Sequence, residues 1–192
     1  RLERSSVTNN AVSTEMYDFA DGGINAFFGT NLEMVNVTMS GNSPGSFHWA
    51  ATGMAALTMR NVTIWDNPGT VAFVVLQDEG TFDVSTSIIE SVLCVGAGTA
   101  VAVSTGSNFF ESYTNCTGST DTIGPLTLTP LAHNDTGLDT DNGTLTMALP
   151  GGSAPVDALG ACLDTDGTPL GTDQRNNPRP QGGGCDVGAF EL

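Results

Sequence analysis

The sequence is organised around a repeat with a period of 25 residues. The stretch NLEMVNVTMSGN at residues 31–42 returns as ALTMRNVTIWDN at residues 56–67. Copies at a fixed period in the twenties indicate stacked structural units, none of which can bury its apolar face alone. The positions that match are Leu32, Met34, Asn36, Val37, Thr38, Met39 and Asn42 with Leu57, Met59, Asn61, Val62, Thr63, Ile64 and Asn67.

Weaker copies flank these two. A third copy, TFDVSTSIIES at residues 81–91, keeps the offset of 25 residues. A looser first copy near the start places Leu2 and Val7 30 residues before Leu32 and Val37, and a fourth copy is expected within residues 99–110. In the third copy the matching apolar positions are Phe82, Val84 and Ile89, after Leu57, Met59 and Ile64.

Each copy alternates in the manner of a strand. Met34 and Met39 are predicted to point to one face, whereas Glu33 and Thr38 point to the other, which we expect to face solvent. Asn36 lies between the two short strands of its copy. Because asparagine tolerates the left-handed backbone of a sharp corner, Asn36 and its counterpart Asn61 are predicted corner residues stacked in a ladder.

These patterns predict an all-β chain. A further apolar segment precedes each copy, which gives three short strands per repeat, and no segment shows a helical stripe bounded by caps. The predicted fold is a right-handed parallel β-helix (β-solenoid) of about four to five coils, built by residues 1–117. Residues 118–192 lose the period, are rich in Pro, Gly and Asp, and are predicted to form an irregular C-terminal cap of the same domain.

The charge balance excludes one class of partner. Five Arg, with no Lys, stand against 21 Asp and Glu, and the formal charge is −16. A nucleic-acid-binding protein needs a basic surface to neutralise phosphates, so no nucleic-acid partner is expected. No apolar run reaches the roughly 18–20 residues of a transmembrane helix, so no transmembrane segment is expected either.

The closing motifs resemble a known family. DNGTLTMAL at residues 141–149, PGGSAPVDALG at 150–160, DQRNNPRP at 173–180 and CDVGAFE at 185–191 resemble the C-terminal part of choice-of-anchor Q domain proteins. These are bacterial, pectin-lyase-like β-helix surface proteins. Asn176 stands where the family pattern has Gly after DQR. The resemblance implies an extracytoplasmic protein, and it carries over no shared catalytic motif.

Four cysteines allow three pairings. We favour Cys94–Cys116 and Cys162–Cys185 because the members of each pair are close in the sequence. The first pair flanks the last coil and the second flanks DQRNNPRP, so each would close a short loop. The alternative is four free buried thiols in a cytosolic protein.

The C-terminal segment also concentrates charge. Its arginines are interpreted as partners in a buried lock of Arg–carboxylate pairs that holds the cap. The alternative is a substrate-binding or lyase arginine. The predicted members of the lock are Asp157, Asp173, Arg175, Arg179 and Asp186.

Calcium is a candidate ligand of the cap. The run DTDGTPLGTD, which contains Asp164 and Asp166, resembles a fragment of a calcium loop but lacks the complete twelve-residue pattern. Asp-Gly pairs are also ordinary turns, so this alternative stays open, and no other cofactor is expected.

Two functions from different classes follow. The first is an extracellular or cell-surface structural or adhesive protein without catalysis, as a processed fragment or as a subunit of an assembly. Such a subunit could self-associate through an open N-terminal coil. The second is a carbohydrate-active or carbohydrate-binding β-helix with an extracellular glycan as partner. Enzyme activity is not predicted, because His48 and His133 are isolated and because Glu33 and Asp83, two coils apart, are too far apart for a retaining pair.

Overall fold

The computed structural model describes residues 1–11, 23–27, 31–44, 47–51, 56–68, 73–77, 81–95, 102–114, 121–134 and 143–192. None of these residues is helical, so no helix among them has the length and apolarity to cross a membrane. The strands are β1 Leu2–Thr8, β2 Ile24–Phe27, β3 Asn31–Ser40, β4 Phe47–Ala51, β5 Ala56–Ile64, β6 Phe73–Gln77, β7 Thr81–Ser85, β8 Ile88–Val95, β9 Ala102–Gly106, β10 Phe109–Thr114 and β11 Thr122–Ile123.

The strands pair in parallel, and β3, β5, β7 and β8 do so at the 25-residue offset of the repeat. Leu57 of β5 lies beside Leu32 of β3 on one side and beside Phe82 of β7 on the other. Ile64 pairs with Ile89 in the same way. All pairings between the described strands are parallel, so the prediction of an all-β chain with stacked parallel copies is confirmed for this part of the chain.

The register of the first copy differs from the prediction. Leu2 pairs with Met34 and Val7 with Met39, which is an offset of 32 residues where the sequence suggests 30. The two offsets differ by one full period of the pleat, so either one points Leu2 and Val7 to the same face. Apolar alternation alone cannot distinguish such registers, and the predicted offset is wrong for this reason.

One strand joins two groups of strands. The strand order runs β1-β3-β5-β8-β6-β4-β2, with β7 and β9 beside β5 and with β10 and β11 beyond β8. The start of β8 pairs with β5, and its later residues 92–95 pair with β6. The chain therefore passes within β8 from the group that contains β5 to the group that contains β6. Among the described residues the sheet does not close on itself.

The inward face forms the main core. Its residues are almost fully buried and come from successive copies of the repeat, as the alternation predicts. Leu2 and Val7 of the first copy pack against it and are only partly buried. The fully or nearly buried members are Met34, Val37, Met39, Leu57, Met59, Val62, Ile64, Phe82, Val84, Ile89, Val92 and Phe110.

The corner residues stand in a column with left-handed backbone. Asn36 and Asn61 have φ values of 53° and 54°, the conformation that asparagine tolerates better than most residues. The same conformation recurs at the register positions before and after them. These further corner residues are Arg4 (φ 46°), Thr86 (φ 54°) and Ser107 (φ 60°).

A ladder of asparagine side chains lies at the turn that follows β1, β3 and β5, and it consists of Asn10, Asn42 and Asn67. Asn10 donates its backbone N–H and its Nδ2 to Asn42 Oδ1, at 3.2 and 3.0 Å. Asn42 donates the same two groups to Asn67 Oδ1, at 3.0 and 3.2 Å. Both inner asparagines are buried, so each amide satisfies backbone groups that water cannot reach. The side-chain amides of Asn36 and Asn61 donate to the C-terminal segment, and the backbone N–H of Asn61 donates to Thr86 Oγ1 in the next copy.

The outward face is not exposed along its whole length. Thr38 and Thr63 have relative exposures of 0% and 2%, so the expectation that Thr38 faces solvent is wrong. A second apolar cluster covers this face, because residues 121–134 and 143–192 fold back against it. The cluster consists of Trp65, Ile88, Phe109, Leu128, Met147, Leu149, Leu159, Cys162, Cys185 and Val187.

Replacing Asn67 by Ala should lower the free energy of unfolding by about 2–4 kcal/mol. Asn67 donates Nδ2 to the carbonyls of Met39 and Trp65 and accepts from Asn42, so its loss leaves several buried groups unpaired. Urea titration followed by circular dichroism measures the change. Asn10→Ala is the matched control, because Asn10 is the exposed end of the same ladder and should cost less than half as much. Equal effects would contradict the role of the ladder.

Candidate functional site

The C-terminal segment, defined here as residues 143–192, lies along the side of the stacked copies. Thr38 Oγ1 donates to Gln174 Oε1 at 2.6 Å, and the backbone N–H of Ala189 donates to Thr63 Oγ1 at 3.0 Å. The sequence predicts a cap over the end of the stack. The contacts instead follow the outward face and the corner column of the first copies, so this segment ties successive copies together.

Asp173 and Arg175 form the centre of a buried polar cluster. Asp173 is fully buried, and its Oδ2 accepts from Arg175 Nε at 2.8 Å and from Nη2 at 2.6 Å. Its Oδ1 accepts from the backbone N–H groups of Arg175 and Asn177. Arg175 also donates to the carbonyls of Asn134 and Glu191, and its guanidinium lies 3.6 Å from the ring centre of Phe190. The pair therefore fixes three chain segments at one point.

Arg179 connects this cluster to the corner column. Its side chain has no solvent exposure, and Nη1 donates to Asn61 Oδ1 at 3.2 Å while Nη2 donates to the carbonyl of Gly188 at 2.7 Å. Its Nε lies 3.7 Å from Glu191 Oε2. Glu191 in turn accepts from the backbone N–H groups of Gln181 and Asp186. The closing motif is thereby joined to the second copy of the repeat.

Burial opposes the charges in this cluster. It raises the pKa of the Glu191 carboxyl, against the hydrogen bonds from Gln181 and Asp186 and the charge of Arg179. It also lowers the pKa of the Arg179 guanidinium, against the nearby charges of Glu191, Asp173 and Asp186. Because desolvation of a buried ion pair cancels much of its Coulombic attraction, the surrounding hydrogen bonds are what keep these groups in place.

Asp157 and Asp186 connect the chain around residue 157 to the start of the last motif, CDVGAFE. Asp186 Oδ1 accepts from the backbone N–H of Asp157 at 2.7 Å, and Asp157 Oδ1 accepts from that of Gly184 at 2.9 Å. A Cβ at Gly184 would lie 2.5 Å from the carbonyl oxygen of Leu159, which explains glycine there. Of the five predicted lock residues, Asp173 and Arg175 form an ion pair, whereas the carboxylates of Asp157 and Asp186 accept backbone N–H groups. Asn176, with φ 68°, has the left-handed backbone that suits Gly or Asn.

The disulfide between Cys162 and Cys185 is present, which confirms this predicted bond. It spans a sequence separation of 23 residues. A loop of this size is stabilised by roughly 3 kcal/mol in the chain-entropy model. The loop contains the residues that bind the corner column, so the disulfide restrains that contact surface. The predicted Cys94–Cys116 bond involves Cys116 and the side chain of Cys94, which lie outside the described residues.

The candidate calcium residues form local turns. Asp164 Oδ2 lies 2.6 Å from Arg1 Nη2, and its Oδ1 accepts from the backbone N–H of Thr165. Asp166 Oδ1 accepts from both the N–H and the hydroxyl of Thr168. Within the described ranges, one group of three metal-ligand atoms lies within 4.8 Å of one another: Cys162, Cys185 and Glu191. Two of these atoms are the bonded sulfurs of the disulfide.

A cleft opens where the C-terminal segment leaves the corner column. Its volume is about 640 Å³, and its lining includes Arg60, Thr86, Ser107, Asp164 and Asp166. Arg60 is held at its edge by Asp83, with Nη2–Oδ2 and Nη1–Oδ1 distances of 2.6 and 3.1 Å. The lining carries one arginine and two aspartates among neutral groups, and the volume of the cleft lies in the range of small-molecule sites.

Two NxT sequons fall on the corner residues. Asn36 and Asn61 are fully buried, and their Nδ2 atoms donate to the carbonyls of Thr172 and Leu163, at 2.8 and 3.3 Å. A glycan attaches at Nδ2 and needs space around it. The folded chain therefore cannot carry a glycan at Asn36 or Asn61.

Sequence reasoning missed three functional features. Gln174 belongs to the closing motif DQRNNPRP and accepts from Thr38, so the motif could have identified it. Asn42 and Asn67 are 25 residues apart, and so are Asn36 and Asn61. The shared offset does not show which of the two pairs forms side-chain hydrogen bonds along the stack. The pairing of Arg60 with Asp83 joins neighbouring copies and has no motif that predicts it.

Comparisons of the chain with protein-family models, with curated proteins and with solved structures found no match. The resemblance to choice-of-anchor Q proteins therefore stays a prediction from the closing motifs. The functional argument depends on the geometry described above.

Replacing Arg175 by Ala should lower the free energy of unfolding by about 3–5 kcal/mol, because it leaves the carboxylate of Asp173 buried without its charge partner. A melting curve followed by circular dichroism measures the effect. Arg1→Ala is the control, since Arg1 makes partly exposed ion pairs and should change stability by no more than about 1 kcal/mol. An Arg175→Ala melt that coincides with the wild-type melt would overturn the assignment of a structural lock.

Proposed function

We propose that this chain is an extracellular or cell-surface structural or adhesive protein without a catalytic role, folded as a right-handed parallel β-helix. The observation that carries the proposal is the use of the charged groups in the closing motifs. Asp173, Asp186 and Glu191 are buried and each accepts hydrogen bonds within the C-terminal segment. Groups engaged in this way hold a structure together and offer no open position to a substrate.

Several features support the β-helix. Parallel strands from successive copies pair with one another, corner residues with positive φ stack on one another, and β8 passes from one group of strands to the other. These are the features that a coil of a solenoid requires. A disulfide supports an oxidising compartment and therefore export, because disulfides rarely persist in reducing cytosol.

A second candidate is carbohydrate binding in the cleft beside Asp164 and Asp166. The cleft has hydroxyl and carboxylate groups from Ser107, Thr86 and Asp166, which can hydrogen-bond to sugar hydroxyls. Asp166 is exposed, so its second carboxylate oxygen is accessible to a ligand. This candidate needs only binding and is compatible with a role in adhesion.

A panel of neutral and anionic polysaccharides tests both candidates. The structural proposal predicts no release of reducing or unsaturated ends by the purified chain, and turnover above the buffer background would contradict it. Binding to immobilised glycans is measured in parallel. The carbohydrate candidate predicts binding that Asp166→Ala reduces at least about tenfold while Glu111→Ala, an exposed acid outside the cleft, leaves it unchanged. Equal binding by the two variants would exclude the cleft.

A further inference from the structure

The arginine of the cleft lining is already paired inside the protein. Arg60 forms a two-point ion pair with Asp83, with Nη2–Oδ2 and Nη1–Oδ1 distances of 2.6 and 3.1 Å. Its Nη1 also donates to the carbonyl oxygens of Met59 and Asp83. Because Asp83 neutralises the guanidinium, Arg60 offers little attraction to an anionic ligand in the cleft.

Asp164, the first aspartate of the lining, shares its partner with other carboxylates. Its Oδ2 lies 2.6 Å from Arg1 Nη2. Nε of Arg1 lies 3.3 Å from Glu3 Oε2, and Nη1 lies 3.4 Å from Glu33 Oε2. One guanidinium thus faces three carboxylates, so this side of the cleft has no surplus of positive charge.

Asp166, the second aspartate of the lining, is exposed and forms no ion pair with a described residue. Its Oδ1 accepts from the hydroxyl and the backbone N–H of Thr168, at 2.6 and 2.9 Å. These hydrogen bonds lower the pKa of the Asp166 carboxyl, so the group is ionised at neutral pH. Its Oδ2 accepts no hydrogen bond from the described residues, and Asp166 therefore presents an uncompensated negative charge.

The neutral part of the lining suits a sugar better than a simple ion. Ser85 and Ser107 line the cleft, and their hydroxyl groups make no hydrogen bonds to other described residues. Such hydroxyls can both donate to and accept from the hydroxyls of a sugar. Leu163 is 40% exposed and offers an apolar surface to the C–H groups of a pyranose ring. The volume of about 640 Å³ is far larger than a single cation needs.

We propose that the cleft binds a short oligosaccharide of amino sugars, in which a protonated amino group pairs with the carboxylate of Asp166. This inference rests on the carbohydrate candidate given above and specifies its ligand class. Ser85 and Ser107 hydrogen-bond to the sugar hydroxyls, and Leu163 contacts the ring. Polyuronates are disfavoured, because their carboxylates meet Asp166 and find the arginine of the lining already neutralised.

Isothermal titration calorimetry of the full 192-residue chain with a trisaccharide of glucosamine tests the proposal. The titration is done at about pH 5.5, where aliphatic amines are protonated and aspartates are ionised. The N-acetylated trisaccharide is the matched ligand without charge, and a trisaccharide of galacturonic acid carries the opposite charge. We expect the glucosamine trisaccharide to bind about three- to fivefold more tightly than the N-acetylated one, and the galacturonic acid trisaccharide to bind most weakly.

Two chain variants locate the charge that causes this preference. Asp166→Asn removes the charge and keeps an oxygen that accepts from Thr168, so it should bind the glucosamine and N-acetylated trisaccharides equally. Glu111→Gln removes one negative charge outside the cleft and should keep the preference of the wild-type chain. Circular dichroism verifies that both variants are folded. A preference that survives Asp166→Asn, or that Glu111→Gln reduces to the same extent, would overturn the proposal.

Further outcomes separate this inference from the carbohydrate candidate on which it rests. Equal affinities of the wild-type chain for the two trisaccharides, both reduced by Asp166→Ala, would overturn the choice of amino sugars and leave the carbohydrate candidate standing. Absence of binding by all three trisaccharides would overturn both. A linear polyamine that binds as tightly as the glucosamine trisaccharide would show that charge alone is recognised, which also contradicts the proposal.

Discussion

Parallel pairing at the 25-residue offset places the repeat residues of β3, β5, β7 and β8 beside their counterparts. This constraint is easily met at apolar positions, because apolar side chains then pack in continuous rows such as Leu32, Leu57 and Phe82. The same constraint is harder to satisfy at the corners, because the backbone polar groups there lie outside the strand hydrogen bonds and are shielded from water. Each buried corner group needs a partner within the stack or from another segment, since an unpaired one costs about 1–3 kcal/mol.

The chain meets this demand in two ways, although the buried Oδ1 of Asn36 has no hydrogen-bond partner among the described residues. At one turn, the amides of Asn42 and Asn67 connect successive copies directly. At the other turn, the amides of Asn36 and Asn61 bond to the C-terminal segment, which reaches them through Thr172, Leu163 and Arg179. The buried ion pair of Asp173 and Arg175 fixes the backbone of that segment. Its carbonyl groups and Arg179 are thereby held within hydrogen-bonding distance of Asn36 and Asn61. The conspicuous charges of the closing motifs are therefore part of the scaffold.

Much of this arrangement could be predicted from the sequence, and the failures have physical causes. The offset of 25 residues predicts the parallel partners of Leu57 and Ile64 correctly, because identical apolar residues align only once. The offset of the first copy could not be predicted, since a shift of two residues keeps every side chain on its face. The burial of Thr38 was not predictable from local alternation, because the covering residue, Gln174, lies 136 residues away.

The candidate site divides in the same manner. The pairing of Arg175 with Asp173 was predictable, because a buried arginine needs an acceptor and the closing motifs place carboxylates close to it in the sequence. The cleft at Asp166 was not, because it is formed between the C-terminal segment and corner residues from other copies. The spacing of residues in the sequence indicates contacts within one segment. Contacts between segments that are distant in the sequence depend on how the copies of the repeat stack.

A double-mutant cycle between Thr38 and Gln174 tests the central claim most directly, which is that the C-terminal segment is bonded to the outward face of the repeat. The two side chains are buried and lie 2.6 Å apart, and they belong to opposite sides of this contact. Thr38→Val, Gln174→Met and the double variant are compared by urea unfolding. The structure predicts a coupling energy of about 1 kcal/mol. Strictly additive effects would show that the two residues do not meet and would contradict the claim.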